Sequence, residues 1–182
     1  QRLLGFLADD EPGLAMLYRD DATQSVTDAY LNRQANCVTY TMLFLALARE
    51  AGLDAYPQEI RETLAWQQRD GIVYRTNHVN AGVRIGMRHY TVDVGSGFVI
   101  SRYPPQRIST QRLLVHYYNN HAAILMAGGR MSLALAHARV ALELDPTYPV
   151  TWSNTGVLRL RDGDTAGALR DYETALRLDP DN

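Results

Sequence analysis

Ala141-Leu142-Glu143-Leu144-Asp145-Pro146 returns as Ala175-Leu176-Arg177-Leu178-Asp179-Pro180, 34 residues further along the chain. Five of the six positions are identical, which marks a duplicated structural unit rather than a chance match. Each copy ends on a proline, which disfavours helix in the residue before it, so each marks the end of a helix. Working outward from these two ends gives four helices, at about Thr110 to Ala127, Ser132 to Leu144, Pro149 to Arg161 and Thr165 to Leu178. Gly128-Gly129 and Asp162-Gly163-Asp164 supply the turns, and Ser109 and Pro149 the start signals.

A period of 34 residues resembles the tetratricopeptide repeat. Trp152, Gly156, Ala168, Tyr172, Ala175 and Pro180 fall where that family places its large, small, small, large, small and proline residues. Tyr118, Ala122, Leu125, Ala134, Ala141 and Pro146 follow the same order, with Ala138 where a larger residue is usual. Arg159 departs from the large apolar residue expected in the second copy. The resemblance implies an all-α region over residues 109–182, with repeats at about 115–148 and 149–182. Family geometry places His116, Asn119, Ala123 and Met126, then Val150, Ser153, Val157 and Leu160, on a partner groove. That stripe is mixed to apolar and lacks a basic clamp for acidic peptide ends. It implies a hydrophobic or extended peptide, or the chain's own first domain, as occupant. Two repeats leave apolar surface uncovered, so they are expected to dock on residues 1–108, with a second protomer or further repeats as the alternative cover.

The first 108 residues carry a different pattern. From Val38 to Ala48 nearly every side is apolar, and the run stops at Gly52, which predicts a buried central helix with a glycine end signal. Ala55 to Ile60, Val73 to Ile85 and Arg88 to Val94 predict strands, with Arg84 to Met87 as a connecting turn. Glu11 to Tyr18 and Ser25 to Arg33 are expected helices, and Phe98 to Arg107 a connector to the repeats. One buried helix followed by an antiparallel sheet indicates an α+β domain.

The 182 residues, 46% hydrophobic and 21% charged, suit one domain or two small ones. A formal charge of -2 removes the attraction to phosphate backbones on which nucleic-acid binders depend. The longest apolar run falls far short of the ~20 residues a membrane span needs. All 18 basic residues are Arg, so the chain cannot donate a lysine amine to its own kind. With one cysteine, Cys37, no internal disulfide is possible, a condition that suits a cytosolic protein and an exported one equally. The opening at Gln1 without a Met predicts a longer precursor, with any signal peptide or lipid-attachment cysteine upstream.

Cys37 opens the buried helix directly after Ala35-Asn36, where unpaired N–H groups and the positive end of the helix dipole stabilise a thiolate. Taken alone, it reads equally as a small apolar residue beginning a core helix. The strands change that balance. His78, Asn80, Gly82 and Arg84 occupy one face of the first strand, and His89, Thr91 and Asp93 one face of the next. A four-residue turn at Arg84 to Met87 puts His78 opposite Asp93. A two-residue turn at Gly86-Met87 puts them diagonally on the same face. Either register lets the carboxylate orient the imidazole, giving a nucleophile, a base and an orienting group.

The order Cys, His, Asp on a helix and two successive strands resembles the transglutaminase-like superfamily of papain-like cysteine enzymes. The resembling stretch is Arg33-Gln34-Ala35-Asn36-Cys37 through Ala51-Gly52-Leu53, then Asn77-His78-Val79-Asn80 and Val92-Asp93. With the repeats it is similar to bacterial proteins that join such a domain to a tetratricopeptide tail. The resemblance implies Cys37 as nucleophile, His78 as base and acid, and Asp93 as orienter. Asn80 stands where many relatives carry an aromatic residue, and Gly82 where they carry an acidic one. Oxyanion donors or substrate contacts are sought among the Cys37 N–H, Gln34, Asn36, Asn80, Trp66 and His89. His116, His121 and His137 read as surface or packing residues of the repeat helices, no spacing resembles a metal site, and no cofactor is implied. Gly95-Ser96-Gly97 is too short for a phosphate loop.

The expected activity is attack on a peptide or protein amide through a thioester at Cys37. Water as acceptor makes the chain a protease or amidase, and an amine makes it a transglutaminase, with hydrolysis favoured by the bacterial resemblance. That resemblance also allows an exported setting, periplasmic or lipoprotein. The reading of another class is an interaction scaffold, with working repeats beside an inactive α+β domain.

Overall fold

A computed structural model describes residues 2–8, 13–61, 66–69, 72–75, 78–94 and 103–180. The chain divides into two compact units, Gln1–Thr110 and Gln111–Asn182.

The first unit runs α1 (Arg2–Ala8), β1 (Leu17–Tyr18), α2 (Val26–Asn32), β2 (Gln34–Ala35), α3 (Cys37–Glu50), β3 (Asp54–Ile60), β4 (Trp66–Arg69), β5 (Ile72–Arg75), β6 (His78–Ile85), β7 (Arg88–Val92) and β8 (Gln106–Arg107). Strands β7, β6, β3 and β8 lie side by side in that order, every pairing antiparallel. Helix α3 packs against β6 and β3. Val38, Leu43, Phe44, Leu45 and Ala48 are each at most 3% exposed, so most of its apolar run is core, while Met42 and Leu47 are half-buried and Ala46 is exposed. Each such large side chain contributes about 1.5–3 kcal/mol by leaving water.

The hairpin between β6 and β7 takes the shorter of the two expected turns. Ile85 faces Arg88, leaving Gly86-Met87 as a two-residue loop. Gly86 sits at φ +61, the first loop position where a type II′ hairpin needs glycine.

Three expectations for this unit are corrected. Over the described part of the helix expected at Glu11 to Tyr18, the backbone is irregular and then extended, ending in β1. Ala15 at φ 44 interrupts any helix there, and Leu17 and Tyr18 pair in parallel with Gln34 and Ala35. A long-range ladder thus overrides local propensity. The strand expected from Val73 to Ile85 is two strands, because β5 pairs back on β4 while β6 joins the central sheet. The end of the connector forms β8, which adds an edge to β3 at Gln58 and Glu59. Asn77, Gly95-Ser96-Gly97 and the beginning of the connector lie outside the described residues.

The second unit is α4 (Thr110–Ala127), α5 (Met131–Leu144), α6 (Pro149–Arg161) and α7 (Thr165–Leu178), within one residue of the expected limits. Ala134, Ala138 and Ala141 form a fully buried stripe on α5. On α7, Ala168 and Ala175 do the same. Gly156 faces the Tyr172 ring, and a Cβ placed there would stand 2.6 Å from Tyr172 Cε1. The glycine is needed for the closeness of α6 and α7, not for a turn. Arg159, unusual at its position, forms an ion pair of 3.1 Å with Asp171, a carboxylate only 4% exposed. Burial pushes the Asp171 carboxyl above its usual range, partly countered by Arg159. The departure is therefore compensated within the same repeat.

Candidate functional site

Three segments meet at the start of α3. Asn36 caps the helix: its side-chain oxygen accepts from the Thr39 N–H at 3.0 Å, and its amide donates to Thr23 Oγ1. The Asn36 N–H in turn donates to the Ala22 carbonyl at 3.1 Å. Cys37 is thereby fixed as the first helical residue, 7% exposed. Its N–H belongs to the helix turn that has no intrahelical acceptor.

His78 begins β6 and is 3% exposed. Its Nε2 lies 2.6 Å from Asp93 Oδ1, just beyond the end of β7. Asn80 Nδ2 donates to the other carboxylate oxygen, Oδ2, at 3.0 Å. The two-residue hairpin explains both bonds, since its register puts Asn80 opposite Asp93 and His78 on the diagonal. Asp93 is thus held from both sides, which leaves His78 Nδ1 as the ring nitrogen for Cys37. Burial alone would lower the His78 pKa. Hydrogen bonds with Asp93 and Cys37, and the charges of both groups, outweigh burial and push it up to about 9. An imidazolium flanked by these two acidic groups is the favoured form at neutral pH.

Two tyrosines complete the surroundings, and both escaped the sequence reading. Partial burial, then the proximity of Cys37, Asp20 and Asp93, raise the Tyr18 hydroxyl above its usual range. Tyr40, 8% exposed on α3, is raised by burial and then by Asp93. Tyr40 had a readable signal, because it sits three residues after Cys37 on the same helix face. Tyr18 had none, because the β1–β2 ladder brings it there from outside the motif.

The remaining sequence candidates take other places. Asn36 uses its side chain in the cap and on Thr23, and Asn80 donates an amide hydrogen to Asp93. Gln34 pairs with Leu17, and its carbonyl accepts from Gln24 Nε2 at 2.6 Å. His89 is exposed on β7, where its Nδ1 lies 3.0 Å from Tyr56 Oη. Trp66 opens β4 opposite Arg75, and its side chain lies outside the described set.

In the repeat unit the first half of the expected groove is largely buried. His116, Asn119 and Met126 are 5%, 7% and 7% exposed. Asn119 Nδ2 donates to Thr151 Oγ1 at 2.9 Å, and His116 packs edge-on against Tyr148. The Asn119–Thr151 bond ties the first repeat to the second. Ala123, Val150, Ser153 and Val157 are half-buried, and Leu160 is 50% exposed.

Residues 149–182 match the tetratricopeptide repeat family. Over 65 residues, 36% of this chain, the sequence is 42% identical to the Hsp70-Hsp90 organizing protein of Triticum aestivum, covering 11% of that protein. Over a stretch of the same length it is 34% identical to the DnaJ homolog subfamily C member 7 homolog of Dictyostelium discoideum, covering 12% of it. The chain therefore matches about a tenth of the length of these relatives. The second repeat copy of this chain is a tetratricopeptide repeat, a protein-interaction element.

Proposed function

We propose that the chain is a thiol acyl-transfer enzyme of the transglutaminase-like type that hydrolyses peptide or protein amides and uses its repeats to hold a protein. The single observation that carries this reading is the 2.6 Å bond between His78 Nε2 and Asp93 Oδ1, with Cys37 near enough to help push the His78 pKa up. Cys37 sulfur attacks the amide carbonyl, and the Cys37 N–H at the helix start receives the developing oxyanion. The tetrahedral adduct collapses as the C–N bond breaks, and His78 gives its proton to the leaving amine. The neutral imidazole then takes a proton from water, which attacks the thioester and releases the carboxylic acid and Cys37. Asp93, held by Asn80, keeps the imidazole in one orientation through both half-reactions. An amine in place of water makes the same site a transglutaminase.

The second reading is an interaction scaffold in which the triad does no chemistry. The comparisons favour it, since the family match falls on the repeats and both relatives named above are similar over 65 residues only. Iodoacetamide distinguishes the two. A working site alkylates at Cys37 at least about tenfold faster than the same chain carrying Asp93→Asn. Equal, slow labelling of both chains would leave the scaffold reading standing.

A further inference from the structure

The repeat unit holds a histidine pair that the proposed reaction does not use. His121 on α4 and His137 on α5 are neighbours, with ring centroids 5.6 Å apart and planes inclined by 37°. His137 Nδ1 lies 2.9 Å from the Leu133 carbonyl oxygen, one turn back along α5. A carbonyl only accepts, so Nδ1 carries the proton and Nε2 the free lone pair. His121 Nε2 is buried and has no hydrogen-bond partner. A buried, unpaired ring nitrogen costs free energy unless something occupies the space before it.

We propose that His121 and His137 form a two-histidine site for a borderline divalent cation such as Zn2+. Two Zn–N bonds of about 2.0–2.1 Å opened at a tetrahedral angle put imidazole centroids ~5 Å apart, close to the separation found here. An Nδ1–H bonded to a backbone carbonyl is also the arrangement that fixes a ligating histidine in the tautomer with Nε2 free. Tyr117 and Tyr118 wall the pair, with ring centroids 4.5 Å from His121 and 5.8 Å from His137 respectively. Among the described residues no group of three or more His, Cys, Asp and Glu gathers, so the two imidazoles are the protein ligands. Affinity is accordingly modest, and imidazole nitrogen selects Zn2+ over Mg2+ or Ca2+.

The test uses the full chain with Cys37→Ser, which removes the one thiol. Calorimetric titration with ZnCl2 is expected to give one Zn2+ per chain, weakened about tenfold or more by His121→Gln and by His137→Gln. Because either variant could disturb helix packing, a second measurement uses the unsubstituted chain. Zn2+ should protect His121 and His137 from diethylpyrocarbonate while His89 stays reactive. No bound Zn2+ at millimolar concentration, unchanged affinity in both variants, or undiminished modification of both rings would overturn the site and leave a packing pair.

Discussion

Asn36, Thr39, His78 and Asn80 are buried polar side chains of the first unit, and their bonds converge on the start of α3 and on Asp93. Thr151, Thr155 and Asp171 are buried polar side chains of the second, and their bonds stay between or within the repeat helices: Asn119 to Thr151, Thr155 to the Thr151 carbonyl, Arg159 to Asp171. The number of buried groups is similar, but the direction of the bonding is not. In the first unit the network supports groups able to exchange a proton. In the second it locks helix against helix. Buried polarity in the first unit gathers around the His78–Asp93 pair, and in the second it sets which helix surfaces meet.

The largest expected effect on this contrast comes from Asp93→Asn. Loss of the carboxylate removes the group that orients His78, and acyl transfer should fall about 10^3–10^4-fold, far more than the accompanying loss of stability accounts for. A rate loss that merely tracks lost stability would make the cluster structural and erase the contrast. The same variant should change the pH profile of stability. His78 has a folded pKa of about 9, raised from 6.5, so its contribution is fully present below 6.5 and is lost as pH rises through 9. Urea midpoints between pH 6 and pH 10 should decline in the parent chain and flatten in Asp93→Asn.

In the second unit Arg159→Leu restores the apolar residue usual in the repeat but strands Asp171. Since Arg159 is itself about one-third exposed, the expected cost is about 1–3 kcal/mol, below that of a fully buried pair. Arg159→Leu with Asp171→Leu should recover most of it, as read by urea unfolding. Gly156→Ala tests packing without charge. Its Cβ must displace the Tyr172 ring, at an expected cost of about 1–2 kcal/mol, and Tyr172→Ala in the same chain should relieve the clash. The smallest effect is expected from Tyr18→Phe, which removes one hydroxyl at the rim of the site. It should change the alkylation rate of Cys37 by no more than about fivefold, or about 1 kcal/mol in barrier, without altering the denaturation midpoint.

The sequence made the repeat helices legible nearly to the residue, because their signals are local: a proline, a glycine pair and small residues at fixed spacing. The His78–Asp93 pairing was legible too, since alternation along two adjacent strands sets the face whichever turn forms. The role of Asn80 was not, because it depended on the choice between a two-residue and a four-residue turn. Once Ile85 faces Arg88, Asn80 falls opposite Asp93 and becomes its second anchor. Residues 13–18 misled for the opposite reason. Their composition favours helix, and the ladder that overrides it is made with residues seventeen positions away.

That ladder also decides what a shortened chain would lose. Leu17 N donates to the Arg33 carbonyl, Arg19 N to the Ala35 carbonyl, and Asn36 N to the Ala22 carbonyl, each at 2.9–3.1 Å. Thr23 and Gln24 continue the attachment through Asn36 and Thr39. The peptide just before the thiol is therefore moored along its length to residues 17–24. A fragment beginning near Ser25 would retain Cys37, His78 and Asp93 in full, yet its helix start would hang free, and the thiol would wander relative to the imidazole. The structural border of the cluster lies some twenty residues ahead of Cys37, where cleavage by a protease would cut its support without touching any of the three.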